Sequence, residues 1–244
     1  MFGWRARIGV LVPPGNPTVE PEFYRMAPEG VTIHFARLQG FQLASTPGAA
    51  AGMAARTLAY LDELPGPARA LGSVSPSVVI LAHTASSYAT GFADEPHLID
   101  RLASLTGTTA ITAARAVLAA LQHLGVKKLA LGTPYPEVIS AKGRAFWEEV
   151  GFDIVGYHRL ADVQNIYTES EQRAYQLARQ ANTPDADAVF LSGTGLPTVG
   201  VLETLEQDLK KPVISSNQAS LWQALRLAGV RQAINGFGSL LRDI

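Results

Sequence analysis

The chain has 244 residues, of which 47% are hydrophobic and 17% charged, and its formal net charge at pH 7 is -1. A chain of this length buries enough apolar surface to fold without disulfides or a structural metal, as one large domain or two smaller ones. The small net charge, without a basic cluster, argues against nucleic acid or an anionic membrane as a partner. The absence of cysteine excludes disulfides, iron–sulfur clusters and thiolate zinc sites.

The N-terminal segment and the histidines bear on location and cofactors. The apolar run Ile8–Val12 is shorter than the roughly 7–15 residues of a signal-peptide core or the roughly 20 of a membrane span. We therefore expect a cytoplasmic protein. The five histidines show none of the spacings typical of zinc ligands, so we expect neither a metal nor another cofactor.

Short apolar runs rich in β-branched residues alternate with longer helical patterns. The predicted strands are Ile8–Val12, Val31–Ala36, Val78–Ala82, Leu129–Gly132, Ile154–Tyr157, Ala188–Ser192 and Pro212–Ser215. The predicted helices are Ala49–Glu63, Thr112–Leu124, Ser140–Val150, Glu169–Ala181, Thr198–Leu209 and Gln218–Ala228. Strands that are apolar throughout and alternate with helices are typical of parallel sheets covered on both faces.

Two pairs of similar segments indicate an internal duplication. A strand followed by a Pro/Gly turn and a helix start begins at Arg7 and again at Lys128. A strand that ends in a small-residue loop containing threonine begins at Val78 and again at Ala188. We therefore expect two similar α/β domains, an N-terminal one formed by 1–110 with 217–244 and a C-terminal one formed by 111–216.

The loops that follow the strands are rich in neutral hydrogen-bond donors. Ligands of parallel sheets sit beyond the carboxyl ends of the strands, which here are the loops 13–18, 83–87, 133–137 and 193–198. Their polar side chains are Asn16, Thr84, Ser86, Ser87, Thr133, Tyr135, Thr194 and Thr198. Several fixed neutral donors suit a carboxylate. The alternative for each single loop is that these residues only form turns and helix caps.

Four segments resemble the aspartate/glutamate racemase superfamily, and within it the branch of the maleate cis–trans isomerases and arylmalonate decarboxylases. They are GVLVPPGNPTVEPE (9–22), VVILAHTASSYATG (78–91), LALGTPYPEV (129–138) and the long segment 190–229, which contains PVISSNQASLW. The resemblance implies two pseudo-symmetric, flavodoxin-like α/β domains with the active site in the cleft between them. It also implies cofactor-independent isomerisation or decarboxylation of a small carboxylate or dicarboxylate. Homo-oligomers are common in the family, so a homo-oligomer is allowed here.

The sequence departs from the family at the two positions where the superfamily places its catalytic cysteines, which are His83 and Gly193 here. The resemblance implies that His83, Thr84 and Tyr135 take part in catalysis. It further implies that substrate is bound by Pro14, Asn16, Ser86, Gly193, Thr194 and Gly195. In the decarboxylases the hydroxyls and backbone N–H groups of this set form a pocket for a carboxylate. Ala85 replaces one hydroxyl residue of that pocket.

The sequence is compatible with two roles for His83. Imidazole titrates near neutral pH and can give or take a proton, but a histidine at this position can also be structural or only bind substrate. The functional alternatives are a hydratase or hydrolase of a carboxylate-bearing substrate, and a catalytically silent protein that binds a carboxylate. Among other residues, Glu20, Glu22, Glu137, Arg37 and Arg115 are expected at the surface or near helix ends, and Trp147 and Trp222 in the core.

Overall fold

The computed structural model describes residues 2–39 and 49–244. The first half of the chain contains a parallel sheet of four strands. They are β1 (Ala6–Val12), β2 (Val31–Arg37), β3 (Val78–Leu81) and β4 (Thr109–Thr112), in the spatial order β2-β1-β3-β4. The first three strands confirm the sequence-based prediction. The strand β4 was not predicted, because its four residues TAIT show neither an apolar run nor an alternation.

The second half of the chain repeats this sheet. Its strands are β5 (Lys128–Thr133), β6 (Asp153–Arg159), β7 (Ala188–Leu191) and β8 (Val213–Ser215), in the order β6-β5-β7-β8 and again all parallel. The strand order of the second sheet is thus the order of the first, which agrees with the paired sequence segments. The division into 1–110 with 217–244 and 111–216 is our proposal for the domain boundaries.

Helices connect successive strands and cover both sheets. In the first half they are α1 (Val19–Met26), α2 (Ala49–Asp62), α3 (Pro65–Gly72), α4 (Thr84–Thr90) and α5 (Glu95–Thr106). In the rest of the chain they are α6 (Ala113–His123), α7 (Glu137–Val150), α8 (Glu171–Ala181), α9 (Leu202–Leu209), α10 (Ser216–Leu227) and α11 (Ser239–Arg242). The helices α3, α4, α5 and α11 were not predicted. The helix α9 begins four residues later than predicted, because residues 198–201 still belong to the turns after β7.

The core runs continuously between the two sheets. The apolar residues of β1, β3, β5 and β7 are fully buried, as strands covered on both faces require. Trp147 and Trp222 are 0% and 1% exposed, which confirms their prediction as core residues. The helix α10 packs against α1 and α6, and thereby joins the C-terminal segment to helices near the first sheet. None of the helices in the described part of the chain is long and apolar enough to cross a membrane.

Candidate functional site

A cavity of about 110 Å³ lies where the strand-end loops of the two sheets face each other. Its walls come from α2, from the loop after β3, from the loop after β5 and from the segment before α8. The lining residues are Met53, Arg56, Thr57, Tyr60, His83, Pro134, Tyr135, Pro136, Val163, Gln164, Asn165, Ile166 and Tyr167. The cavity therefore brings together His83 and Tyr135, two of the residues that the sequence singled out.

His83 is held in place by a neighbour on its own loop. It lies just before α4, and its Nδ1 is 2.7 Å from Oγ of Ser86, one turn into the helix. The ring of Tyr60 meets the imidazole edge to face at 5.5 Å between ring centroids. The side chain is buried, and burial lowers the pKa of His83 from 6.5 to about 4, because a charged imidazolium is poorly solvated there. At neutral pH His83 is thus an uncharged imidazole in a fixed orientation.

Tyr135 lies in the loop after β5, the strand of the second sheet that corresponds to β1. It is 3% exposed, and burial holds the pKa of its phenol well above 10, with the hydroxyls of Thr84 and Ser192 partly offsetting that effect. A Cβ placed on Gly193 would come within 3.2 Å of the Tyr135 hydroxyl oxygen, so this hydroxyl lies directly against the backbone of the next loop. Tyr135 therefore stays protonated across the physiological pH range and remains a hydrogen-bond donor.

Ser216, which sequence reasoning did not single out, joins two of the expected site residues. Its Oγ accepts hydrogen bonds from the Thr84 hydroxyl at 3.0 Å and from the Gly193 N–H at 3.1 Å. Gly193 has φ 103°, a conformation that glycine adopts without strain. The Gly193 N–H, expected from the resemblance to face a substrate, donates to Ser216 in this structure. The sequence could have indicated Ser216 only through its position, because it directly follows the strand β8.

The polar groups of Asn16 and Thr194 bind the two halves to each other. Asn16 Oδ1 accepts the N–H groups of Thr18 and Val19 and so caps the start of α1, while its Nδ2 is 3.4 Å from Thr194 Oγ1. Thr194 Oγ1 in turn donates to the carbonyl of Ala82 at 2.9 Å. Both side chains are buried beside the cavity and do not line it. A substrate contact of Asn16 or Thr194 remains a prediction.

The expected residues Pro14 and Gly195 shape the site through other side chains. Arg37 donates to the carbonyls of Pro14 and Asn16, each at 3.0 Å, and pairs with Glu20 at 2.8 Å. Arg37 therefore fixes the loop after β1. A Cβ on Gly195 would lie 2.7 Å from the ring of Tyr167, so the glycine leaves space for that ring.

Glu22 is not the surface or helix-end carboxylate that the sequence suggested. It is 4% exposed and accepts hydrogen bonds from the backbone N–H groups of Thr198 and Val199 and from the side-chain amide of Asn217. Burial raises the pKa of Glu22, and the three donors oppose this. The sequence around Glu22 could not reveal these hydrogen-bond partners, because they lie 176 to 195 residues away in the chain.

The other acidic and basic candidates lie apart from the cavity. Glu137 lies in the first turn of α7 and is exposed, as the sequence predicted for it. Its carboxylate pairs with Arg159 at 2.7 Å. Arg115 lies near the surface, as the sequence predicted. It pairs with Glu95, which is fully buried, and the Arg115 Nε to Glu95 Oε2 distance is 2.6 Å. Among the described residues, His, Asp and Glu side chains do not gather in a group of three or more that could hold a metal ion.

Three further lining residues escaped the sequence analysis. Arg56 and Tyr60 come from α2, and Tyr167 comes from a 3-10 turn at Ile166–Thr168. Burial raises the pKa of Tyr167 to about 12, and the positive charges of Arg56 and Arg37 partly offset this. No pattern in the sequence marked these residues, because they lie outside the four strand-end loops 13–18, 83–87, 133–137 and 193–198 that are rich in neutral donors.

Comparisons with known proteins agree with this architecture. The family model described as arylmalonate decarboxylase matches residues 8–241. The arylmalonate decarboxylase of Bordetella bronchiseptica is 30% identical, over 97% of this chain and 96% of its own length. The maleate isomerase of Nocardia farcinica is 27% identical, over 97% of this chain and 96% of its own length. The structure of a maleate isomerase of Pseudomonas putida S16 with maleate superimposes with a TM-score of 0.87 at 22% identity, covering 98% of both chains, which supports the fold. The chain belongs to the arylmalonate decarboxylase family of enzymes.

Proposed function

We propose that this protein is a cofactor-independent isomerase or decarboxylase that acts at the carbon next to a small carboxylate, with His83 as its proton-transfer group. The observation that carries the proposal is that His83 and Tyr135, from loops of two different sheets, line one cavity. Both reactions pass through an enediolate, whose oxygen charge is the costly species. A site for either reaction needs donors for that charge and a group that moves a proton.

Tyr135 supplies the donor side of this chemistry. Its phenol stays neutral because burial holds its pKa well above 10, so it donates at any pH at which the enzyme works. Thr84 and Gly193 lie next to the Tyr135 hydroxyl, and both donate to Ser216 in this structure. Because the Tyr135 phenol is fixed by burial, it needs no large rearrangement when charge develops on the substrate oxygen, and one such donor contributes roughly 10²–10³ in rate in other enzymes.

His83 supplies the proton-transfer side. With its pKa near 4 it is a neutral base in the free enzyme, and Ser86 fixes the ring through Nδ1. If Nδ1 carries the proton and donates to Ser86, then Nε2 has a free lone pair to accept a proton from carbon. A bound anionic substrate raises the pKa of the imidazole, since an opposite charge nearby favours the protonated form. In an isomerisation by proton transfer the same group then returns the proton to carbon. In a decarboxylation no proton is taken from carbon, and the imidazolium formed in the substrate complex gives its proton to the carbon that has lost carbon dioxide.

The experiment is proton exchange in D₂O, followed by NMR at the α-carbon, with maleate, phenylmalonate, methylmalonate, aspartate and phenylacetate. We expect exchange, isomerisation or decarboxylation with at least one acid. We expect His83→Asn to slow it by roughly 10²–10⁴-fold and Tyr135→Phe by roughly 10²–10³-fold. The matched control is His97→Asn, because His97 is exposed on α5. Unchanged turnover in His83→Asn would contradict the role of His83.

A second candidate is a catalytically silent carboxylate binder, and the absence of cysteine at both thiol positions favours it. The same panel distinguishes the two functions. A binder shows a rise in melting temperature with one of the acids, as ligand binding to the folded state requires, but no exchange at carbon. Neither exchange nor stabilisation by any of these acids would refute both functions.

A further inference from the structure

The helix α2 turns one face toward the cavity. Its lining residues are Met53, Arg56, Thr57 and Tyr60, which occupy positions i, i+3, i+4 and i+7 and therefore lie on the same side of the helix. Thr57 donates its hydroxyl to the carbonyl of Met53 within the helix. The side chain of Arg56 is half-buried on this face. The helix thus places a guanidinium in the wall of the cavity.

The charges around the cavity favour an anion beside Arg56. Among the described residues that line it, Arg56 alone is ionised at neutral pH, because none is an aspartate or glutamate and His83 is neutral there. Burial raises the pKa values of the Tyr60 and Tyr167 phenols, and the nearby positive charge of Arg56 partly offsets this for both. A charge that is partly removed from water, as the half-buried Arg56 is, interacts more strongly with an opposite charge than it would in the solvent.

The proposed function places one substrate carboxylate at Tyr135, in the wall formed by the loop after β5. Arg56 belongs to a different wall, formed by α2. We infer that Arg56 is a specificity-determining residue that forms an ion pair with a second anionic group of the substrate. The pocket therefore selects dicarboxylates over acids whose second substituent is apolar or aromatic. This inference rests on the proposed function, because it takes the first carboxylate to be bound at Tyr135.

Arginine suits this task because its planar guanidinium binds a carboxylate through two parallel hydrogen bonds. An apolar substituent at the same place would instead leave the guanidinium partly desolvated and without compensation. Discrimination arises from both effects, the attraction for an anion and the cost of covering a cation with an apolar group.

The test is isothermal titration calorimetry with maleate and isocrotonate, which share a cis four-carbon skeleton and differ by a methyl group in place of one carboxylate. We expect the protein to bind maleate more tightly than isocrotonate. Arg56→Met should weaken maleate binding roughly 10- to 100-fold and should not weaken isocrotonate binding, which it strengthens to the extent that the methyl group no longer covers a cation. Arg56→Lys should restore part of the preference, since it keeps the charge but not the fork of donors.

Arg69→Met is the matched control, because Arg69 is an exposed arginine on α3 outside the cavity, and it should leave both affinities unchanged. Circular dichroism and thermal melting check that each variant is folded, and Arg56→Gln replaces Arg56→Met if that variant is not. An equal effect on both acids, or no effect on either, overturns the inference while the proposed function stands. If the unaltered protein binds neither acid, the proposed site for the first carboxylate fails and the inference fails with it.

Discussion

The hydroxyl of Tyr88 in α4 lies 2.8 Å from Oγ of Ser192, the residue that follows β7. The two residues belong to different halves of the chain, and Trp147 Nε1 donates to the same Tyr88 oxygen at 2.9 Å. All three side chains are buried. Ser192 directly precedes Gly193, so this contact helps to set the loop against which the Tyr135 hydroxyl lies.

We expect Tyr88→Phe to lower the free energy of unfolding by about 1–3 kcal/mol, because it leaves the buried Trp147 N–H without an acceptor. Urea unfolding followed by fluorescence measures the change. Tyr24→Phe is the control, since Tyr24 is 60% exposed, and it should change stability by less than about 0.5 kcal/mol. Equal effects of the two substitutions would show that the Tyr88 hydroxyl contributes nothing.

The depressed pKa of His83 predicts a pH dependence of stability. Between pH 6.5 and about 4 the unfolded chain binds a proton at this histidine that the folded protein does not. The unfolding free energy therefore falls as the pH is lowered through this window, by about 3 kcal/mol in total, and is unaffected by His83 above it. Below about pH 4 both states are protonated, and the dependence due to His83 ends.

Chemical denaturation at several pH values, compared between the protein and His83→Asn, isolates this contribution. The comparison is needed because Glu22 also titrates, and its raised pKa acts in the opposite direction. We expect the stability advantage of the unaltered protein over His83→Asn to shrink between pH 6.5 and 4. Parallel pH profiles for the two proteins would contradict a buried, neutral His83.

The same histidine predicts the pH profile of catalysis. If neutral His83 is the base, kcat/KM for exchange reports its ionisation in the free enzyme, and should stay level from pH 8 down to pH 5. It should fall only toward pH 4. A half-maximal rate near pH 6.5 would mean that His83 is solvated and titrates like a free imidazole.

Gly195 and Gly66 offer a matched pair of glycine substitutions. In Gly195→Ala the new Cβ would meet the Tyr167 ring at 2.7 Å, so the ring has to leave its place in the cavity wall. We expect activity or ligand affinity to fall at least about tenfold, with a stability loss of about 1–3 kcal/mol from overpacking. Kinetics and calorimetry measure both effects.

In Gly66→Ala the new Cβ meets nothing within 4 Å, and the residue lies in α3. This substitution should leave activity unchanged and stabilise the protein by about 0.5–1 kcal/mol, because alanine loses less backbone entropy on folding. Full activity in Gly195→Ala would show that the position of the Tyr167 ring does not matter for the site.

The predictable part of the fold lies in its buried strands. Runs such as Val78–Leu81 and Ala188–Leu191 are apolar over their whole length, so local composition alone identifies them. The strand β4 lacks that signal and is defined by its pairing with β3. Thr112 was predicted to start a helix, but it ends β4, and its hydroxyl caps α6 by accepting the Arg115 N–H.

The site was predictable where it follows a strand. His83 and Tyr135 come directly after buried strands, and the sheet topology brings both to the cavity. Gly193 and Thr194 also follow a strand, but the hydrogen bonds that engage them come from Ser216 and Asn16, which lie far away in the sequence. Spacing along the chain carries no information on such pairs.

The sequence by itself determined the two parallel sheets and the loops at their carboxyl ends, because these follow from local residue patterns. Its resemblance to the family implied that His83 and Gly193 stand at the two thiol positions. The tertiary structure decided which side chains meet. It buried Glu22 against a distant loop and placed Arg56 in the cavity wall. The physical reason is that burial and charge pairing depend on contacts between remote segments, whereas strand and helix patterns depend on neighbours a few residues apart.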